Sequence, residues 1–160
     1  MADCSGNWID STIHWTKKDG EFHDPPLTLD DGEFEIDPHP GSSVFTGRHT
    51  DAGHNQTVLF KTKCTDLSPN RFAIRIMRLD LTKNPPEIFE YRGEGVIINP
   101  VTSEAIITGR VFVHGPPDPG DTGTWETSRP GGGDDDDDDD DEAENENEDN
   151  DGDVSNKRAR

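Results

Sequence analysis

The chain has 160 residues, of which 35 are Asp or Glu and 15 are Lys or Arg, so its formal net charge is −20. This length suits one domain, and the 28% hydrophobic content supplies one sheet-based core but not two. No apolar run reaches the roughly 18 residues of a membrane-spanning helix, and so acidic a surface repels phosphate backbones. We therefore expect neither a membrane nor a nucleic acid as a partner.

The charge is divided unevenly along the chain. Residues 131–160 hold 15 acids and three bases, which leaves a net charge of −8 on residues 1–130. This division predicts a folded domain over residues 1–130 and an acidic tail over residues 131–160. The first residues lack the basic and apolar regions of a secretory signal, so we expect an intracellular protein, nuclear or cytoplasmic.

Short alternating segments rich in Val, Ile, Thr and Phe recur along residues 1–130, separated by clusters of Gly, Pro, Asn and Asp. Nowhere does an apolar pattern follow the helical period for three turns. The pattern predicts eight strands, at residues 8–15, 32–36, 43–50, 57–65, 71–80, 88–98, 105–114 and 123–128.

Short connections between consecutive strands indicate an antiparallel, up-and-down arrangement. An open sheet of eight strands would leave two exposed edges that invite aggregation, whereas closing the sheet removes both. The predicted fold is therefore all-β: a single antiparallel β-barrel of about eight strands, followed by a disordered tail.

Alternation along each strand predicts which side chains face the interior. In residues 71–80, Phe72, Ile74 and Ile76 share one face. The first strand is ambiguous, because Ile9, Ile13 and Trp15 form an apolar face while the opposite face is mixed and polar. If that second face points inward, the barrel contains a polar pocket.

Motifs at both ends of the predicted barrel carry a family resemblance. Gly6-Asn7-Trp8 opens the first strand, and Gly123-Thr124-Trp125 followed by Arg129 closes the last. A G-x-W start with a late arginine resembles the signature of the calycins, which comprise lipocalins, fatty-acid-binding proteins and avidins. The avidin branch is the most similar, because residues 4–8 resemble an avidin opening and Phe45-Thr46-Gly47 resembles the start of an avidin hairpin strand. The resemblance implies a ligand-binding barrel.

Six residues are the candidate ligand-binding residues of this barrel: Trp8, Asp10, Thr12, His14, His49 and Trp125. Arg129 is expected to be structural, because the first and last strands of a closed barrel are neighbours and its guanidinium can stack on Trp8, a contact worth about 0.5 to 2 kcal/mol. The alternative interpretation is that the tryptophans are simply core aromatics. The biotin-binding residues of avidins have no counterparts here, since the corresponding positions hold Asp10, His14, His49 and Asp51, so the resemblance does not extend to biotin.

A different hypothesis is an enzyme. His49 and Asp51, together with His114 on a later strand, resemble the two-histidine, one-carboxylate site of non-haem iron oxygenases. An alternative ligand set is His49, Asp51 and His54. Cys4 and Cys64 lack the spacing of a zinc site and are expected to be free thiols. Because no recognised catalytic motif occurs, we expect a non-enzymatic protein with no metal and no cofactor.

The tail begins with three glycines, followed by eight consecutive Asp and an alternating Glu/Asn stretch, a composition that predicts disorder. Its charge attracts basic polypeptides, and it resembles the acidic tails of histone chaperones. The cluster at residues 156–160 is typical of a short nuclear-import signal. Two alternatives stay open: a tail that only improves solubility, or an electrostatic clasp onto basic residues of the barrel. The residues proposed for the clasp are Lys61, Lys63, Arg71, Arg75 and Arg78.

The sequence thus favours a non-enzymatic barrel that binds a small ligand or a partner, with an acid-tailed chaperone for basic, histone-like proteins and an iron oxygenase as alternatives. A cavity lined by the candidate residues would favour the ligand carrier, and a filled interior would favour the chaperone. Convergence of His49, Asp51 and His114 would favour the oxygenase. The oligomeric state is not determined by the sequence, and a homo-oligomer is left open.

Overall fold

A computed structural model describes residues 3–39, 43–51, 56–81 and 83–132, with the side chains of residues 58–60 left aside. Eight antiparallel strands follow one another around a closed barrel, and β1 pairs with β8 to complete the ring. The strands are β1 (Gly6–Lys18), β2 (Glu21–Ile36), β3 (Val44–Thr50), β4 (Gln56–Ser68), β5 (Arg71–Asp80), β6 (Glu87–Asn99), β7 (Glu104–His114) and β8 (Thr122–Arg129). The prediction of a single antiparallel, up-and-down barrel is confirmed.

The described residues contain no helix with the length and apolar character needed to span a bilayer. The predicted acidic tail lies outside the described residues from residue 133 onward.

The predicted strand β2 was too short. It begins at Glu21 rather than Gly32, although its sequence contains Pro25 and Pro26. Proline is tolerated there because only residues 33–36 of β2 pair with β3, and neither proline belongs to the β1 ladder. The missing amide protons therefore interrupt no inter-strand hydrogen bond, as expected for a strand edge.

A β-bulge in β1 decides which of its faces points into the barrel. The pairing register shifts between Trp8 and Ser11, and Asp10 takes a left-handed backbone conformation with φ of 54°. The bulge changes the phase of the alternation, so that Trp8, Ser11, Ile13 and Trp15 are all buried. The prediction that Asp10, Thr12 and His14 line the interior is therefore wrong.

Aromatic side chains fill the middle of the barrel. The ring centroids of Phe34, Tyr91 and Trp125 lie 4.8 to 5.6 Å apart in the three pairings of these rings. All three side chains are almost completely buried. Tilted and edge-to-face contacts of this kind add to the hydrophobic stabilisation of the core. They separate a closed end of the barrel from the opposite end, which carries the β1–β2, β3–β4, β5–β6 and β7–β8 connections.

Arg129 and Trp8 seal the closed end. The guanidinium carbon of Arg129 lies 4.8 Å from the centre of the Trp8 ring, as expected for the first and last strands of a closed barrel. Arg129 also donates hydrogen bonds to the main-chain oxygens of Asp3, Ser5 and Ser103 at 2.7 to 2.8 Å. The N-terminal segment is thus tied across this end by backbone contacts.

Candidate functional site

At the end opposite Trp8, four interior side chains form a hydrogen-bonded group that we call the polar mouth: Asp31, His49, Arg78 and Tyr91. Their side chains are buried, with 2% of His49, 7% of Arg78 and 11% of Asp31 exposed. His49, Arg78 and Tyr91 occupy inward positions of β3, β5 and β6, whereas Asp31 lies at a register shift of β2, between the paired residues Asp30 and Gly32. Buried groups of this polarity are costly unless they bind one another.

His49 has one defined tautomer in this network. Its Nε2 lies 2.5 Å from the main-chain oxygen of Asp31, which can only accept a hydrogen bond. Nη1 of Arg78, which can only donate, lies 3.0 Å from Nδ1 and 3.2 Å from Nε2. A proton on Nε2 and a free electron pair on Nδ1 satisfy both the carbonyl and the guanidinium, and we assign this tautomer to the ring.

The Asp31 carboxylate accepts the remaining hydrogen bonds of the polar mouth. Its Oδ2 accepts from the Tyr91 hydroxyl at 3.0 Å and from Ser11 Oγ at 3.3 Å, and Ser11 in turn accepts from Nε1 of Trp125 at 2.8 Å. Burial raises the pKa of Tyr91 well above its usual value, so the phenol stays neutral and continues to donate. A chain of hydrogen bonds therefore connects the aromatic core to the mouth.

Arg78 is the member of the mouth whose hydrogen bonding is incomplete. Its guanidinium carbon stacks 3.8 Å from the centre of the Phe89 ring, and its Nη1 donates within the network. Its Nε is buried and has no hydrogen-bond partner among the described residues. A buried donor without an acceptor is rare and destabilising, so this group needs an explanation.

A cavity of about 150 Å³ opens beside this arginine. Its wall comprises two bases, three acids, one histidine and four apolar or aromatic residues: Lys18, Arg78, Asp30, Asp31, Asp51, His49, Ile13, Leu29, Trp15 and Phe89. Liquid water occupies about 30 Å³ per molecule, so the cavity has room for only a few waters or one very small molecule.

Of the six predicted ligand-binding residues, only His49 lies on this cavity. Trp125 is in the aromatic layer and Trp8 is at the closed end. Asp10 is exposed on the outside of β1, whereas Thr12 and His14 are partly exposed there; His14 Nδ1 lies 2.7 Å from Thr28 Oγ1 of β2.

Sequence analysis missed Asp31, Arg78 and Tyr91. A signal for Arg78 was present, because it continues the inward series of Phe72, Ile74 and Ile76 in β5. It was instead grouped with the outer basic residues, and that placement of Arg78 is wrong.

The three predicted iron ligands do not converge. His49 is inside the barrel, whereas His114 is on the outer face, where its Nε2 contacts Glu90 Oε1 at 2.8 Å. The barrel wall separates the two imidazoles, so the hypothesis of a site formed by His49, Asp51 and His114 is wrong. The alternative that included His54 lies outside the described residues.

Glu90 is a buried charge on the outer wall, and only 3% of its side chain is exposed. Nε of Arg75 and Nε of Arg92 each lie 2.7 Å from its Oε2. Burial by itself would raise the pKa of Glu90, but the hydrogen bonds from Arg92, His114 and Arg75 outweigh that effect and lower it to about 2. This cluster satisfies its own charges and leaves no donor buried without a partner.

Within the described part of the chain, three metal-type ligand atoms come within 4.8 Å of one another in one place, at Asp19, Asp118 and Asp121. The Asp121 carboxylate there accepts from the amides of Asp19 and Gly20 at 2.6 and 3.1 Å. Those bonds explain the position of Asp121 as a tie between two loops.

Comparisons with protein-family models, with curated proteins and with solved structures find no match to this chain. Its function is therefore argued from its own residues.

Proposed function

We propose that this is a non-enzymatic binding protein whose barrel holds one small polar ligand at the polar mouth. The observation that carries the proposal is the buried, unpartnered Nε of Arg78, a residue that lines the 150 Å³ cavity. A ligand oxygen that accepts from this nitrogen would remove the energetic cost of the orphaned donor.

The wall of the cavity restricts the chemistry of the ligand. Arg78 can only donate hydrogen bonds, so it favours a ligand with a carbonyl or carboxylate oxygen. The carboxylates of Asp30, Asp31 and Asp51 accept hydrogen bonds, so they favour a ligand that also carries N–H donors. Trp15 and Phe89 add apolar wall. Pockets for drug-sized ligands measure about 300 to 1,000 Å³, so this cavity suits a molecule as small as a simple amide or a free amino acid.

The test is an NMR titration of the full-length protein with acetamide, glycine and acetate as separate probes. We expect at least one of the two probes that carry N–H donors to produce saturable shifts of the Arg78 Nε–H signal and of the His49 and Tyr91 amides. Acetate, which lacks those donors, should bind more weakly. Arg78→Met should abolish the shifts, whereas Arg92→Met, an arginine on the outer wall, should retain them. Shifts that do not saturate, or that persist in Arg78→Met, would contradict the proposal.

A second candidate function is an acid-tailed chaperone for basic proteins such as histones. The filled aromatic interior favours it, because Phe34, Tyr91 and Trp125 leave no room for a large ligand in the middle of the barrel. The net negative charge of residues 131–160 supplies the attraction, and the basic cluster at residues 156–160 would suit a nuclear protein.

This second candidate predicts binding of purified core histones that depends on the tail. Replacing Asp134 to Asp141 by Asn should weaken binding strongly without changing the thermal stability of the barrel. Raising salt from about 0.05 to about 0.3 M should also weaken it, because the Debye length falls from roughly 14 to 6 Å. Binding that ignores salt, or that survives the replacement, would leave the mouth as the functional site.

A further inference from the structure

The two cysteines meet inside the closed end of the barrel. Cys4 precedes β1 and Cys64 lies in β4, neither forms a disulfide, and their exposed fractions are 0% and 2%. The two side chains are in hydrogen-bonding contact with each other. The sequence had predicted two thiols without metal-site spacing, and it gave no sign that they meet.

Backbone contacts hold each cysteine in this position. The main-chain oxygen of Cys4 accepts from Trp8 Nε1 at 2.9 Å, and Arg129 holds the residues on either side of it. On the other side, the amide of Cys64 donates to the main-chain oxygen of Ser43 at 2.8 Å. The two sulfurs are therefore neighbours because the strands and the N-terminal segment are fixed, and little conformational freedom remains to be lost when they join.

We propose that Cys4 and Cys64 form a redox modification site, which a small peroxide converts into an intramolecular disulfide that fastens the N-terminal segment to β4. Hydrogen peroxide is the oxidant class that fits, because both thiols are buried and a larger disulfide reagent would have to enter the core.

The reaction takes two balanced steps. First, the thiolate of one cysteine attacks an oxygen of hydrogen peroxide, the O–O bond breaks, and a sulfenic acid and hydroxide are formed. Second, the sulfur of the other cysteine attacks the sulfenic sulfur, an S–S bond forms and water leaves. Overall, two thiols and one peroxide yield one disulfide and two waters, so the thiols are oxidised and the peroxide is reduced.

Cys64 is the better first nucleophile. The hydrogen bond from Cys4 lowers the pKa of Cys64 despite its burial, whereas the same contact together with burial raises the pKa of Cys4 far above its usual range. Since the thiolate is the reactive form, the sulfenic acid should appear on Cys64 and Cys4 should resolve it.

The experiment treats the full-length protein with graded hydrogen peroxide, alkylates the remaining thiols under denaturing conditions and maps the peptides by mass spectrometry. We expect both thiols to disappear together, a linked peptide that contains both cysteines, and a melting temperature several degrees higher that returns to its original value after reduction. A rise is expected because the crosslink restricts the unfolded chain.

Two variants separate chemistry from folding. In Cys4→Ser and in Cys64→Ser, a sulfenic-acid trap such as dimedone should label the one remaining cysteine, because no second thiol is left to resolve the sulfenic acid. Neither variant should gain thermal stability from peroxide. Thiols that remain alkylatable after treatment, a disulfide between two chains, or oxidation to sulfinic acid without a crosslink would each overturn the proposal.

Discussion

Both ends of the barrel place an arginine against an aromatic ring, but the two arginines are bound differently. Arg129 lies over Trp8 and donates to three main-chain oxygens, which are fixed by the fold. Arg78 lies over Phe89, contacts only side chains through Nη1, and keeps a buried Nε without a partner among the described residues. The same pair of residue types thus serves as a seal at one end and offers an incompletely bonded donor at the other.

The difference shows how an incompletely satisfied group marks a candidate binding site. Hydrogen bonds to the backbone make Arg129 part of the scaffold, since its acceptors cannot leave without unfolding the closed end. At the mouth, the Nε of Arg78 lacks an acceptor among the described residues, and a small cavity adjoins the same residue. Thr57 Oγ1 and Thr62 Oγ1 are also buried without a partner there, so it is the combination with a cavity that sets Arg78 apart.

The largest effect is expected at the closed end. Trp8→Ala should lower the free energy of unfolding by about 3 to 5 kcal/mol, because it removes a fully buried indole and the surface on which Arg129 stacks. Chemical denaturation measures this change. Phe22→Ala is the control, since Phe22 is 82% exposed and should alter stability by less than about 0.5 kcal/mol. An equally small effect of Trp8→Ala would mean that this end is not sealed by the ring.

The two arginines themselves provide the direct comparison. Arg129→Met should cost about 2 to 4 kcal/mol, because three carbonyl oxygens lose a charged donor. Arg78→Met should cost at least about 1 kcal/mol less, because it also removes an unsatisfied Nε, and Asp31 keeps Tyr91 and Ser11 as donors. The measurement is urea unfolding of both variants side by side. If Arg78→Met proved the more destabilising, Arg78 would be a structural residue and the contrast between the two ends would fail.

Ser11 connects the core to the mouth and tests the bulge in β1. Ser11→Ala should lower stability by about 1 to 3 kcal/mol, because the buried indole N–H of Trp125 would lose its acceptor. Its neighbour Thr12 lies on the outer face of β1 and is partly exposed, so Thr12→Ala should change stability by less than about 0.5 kcal/mol. Thermal melts of the two variants give the comparison. Equal costs would indicate that the face assignment of β1 is wrong.

Glu90 lies on the outer wall of the barrel, away from the arginines of both ends, and its stability effect can be compared with theirs. Glu90→Gln should cost about 1 to 2 kcal/mol at neutral pH, because three cationic or imidazole partners lose their carboxylate. Its folded pKa is lowered to about 2 from 4.5, so this stabilisation is fully present above about pH 4.5 and is lost as the pH falls towards 2.

The stabilities of wild type and Glu90→Gln should therefore become equal as the pH falls towards 2. Unfolding curves of the two proteins at several pH values measure this. Glu94→Gln is the matched control, because Glu94 pairs with Arg71 on the same wall but is half exposed and should matter little at any pH. A difference between wild type and Glu90→Gln that stays constant down to pH 2 would contradict the assignment.

Much of the fold was accessible from sequence patterns because strand alternation is a local property. The strand β5 was predicted with its observed limits, and six of the other predicted strands differ from the structure only near their ends. The exception is β2, where two prolines were compatible with a strand only because most of its outer edge has no partner strand. That condition depends on the neighbouring strand, which no local pattern reveals.

The candidate site was less accessible for the same reason. The bulge at Asp10 adds one residue to β1, so the residues after it lie on the opposite face from the one that simple alternation from Trp8 would give. Thr12 and His14 therefore point outward and form no polar pocket. His49 was predicted because a histidine two residues from a carboxylate is a common metal-ligand pattern, which can be recognised in the sequence alone. Asp31 and Tyr91 were missed because they are 60 residues apart in the sequence. Only closure of the barrel brings β2 and β6 close enough for the two side chains to bind each other.

The sequence alone determined the strand content, the antiparallel order and the separation of an acidic tail, because alternation, turn residues and charge runs act over a few neighbouring positions. Tertiary structure alone decided that Arg78 lies beside His49 and Tyr91 and that Cys4 touches Cys64. Barrel closure, strand register and one bulge set those distances, and each depends on long-range packing.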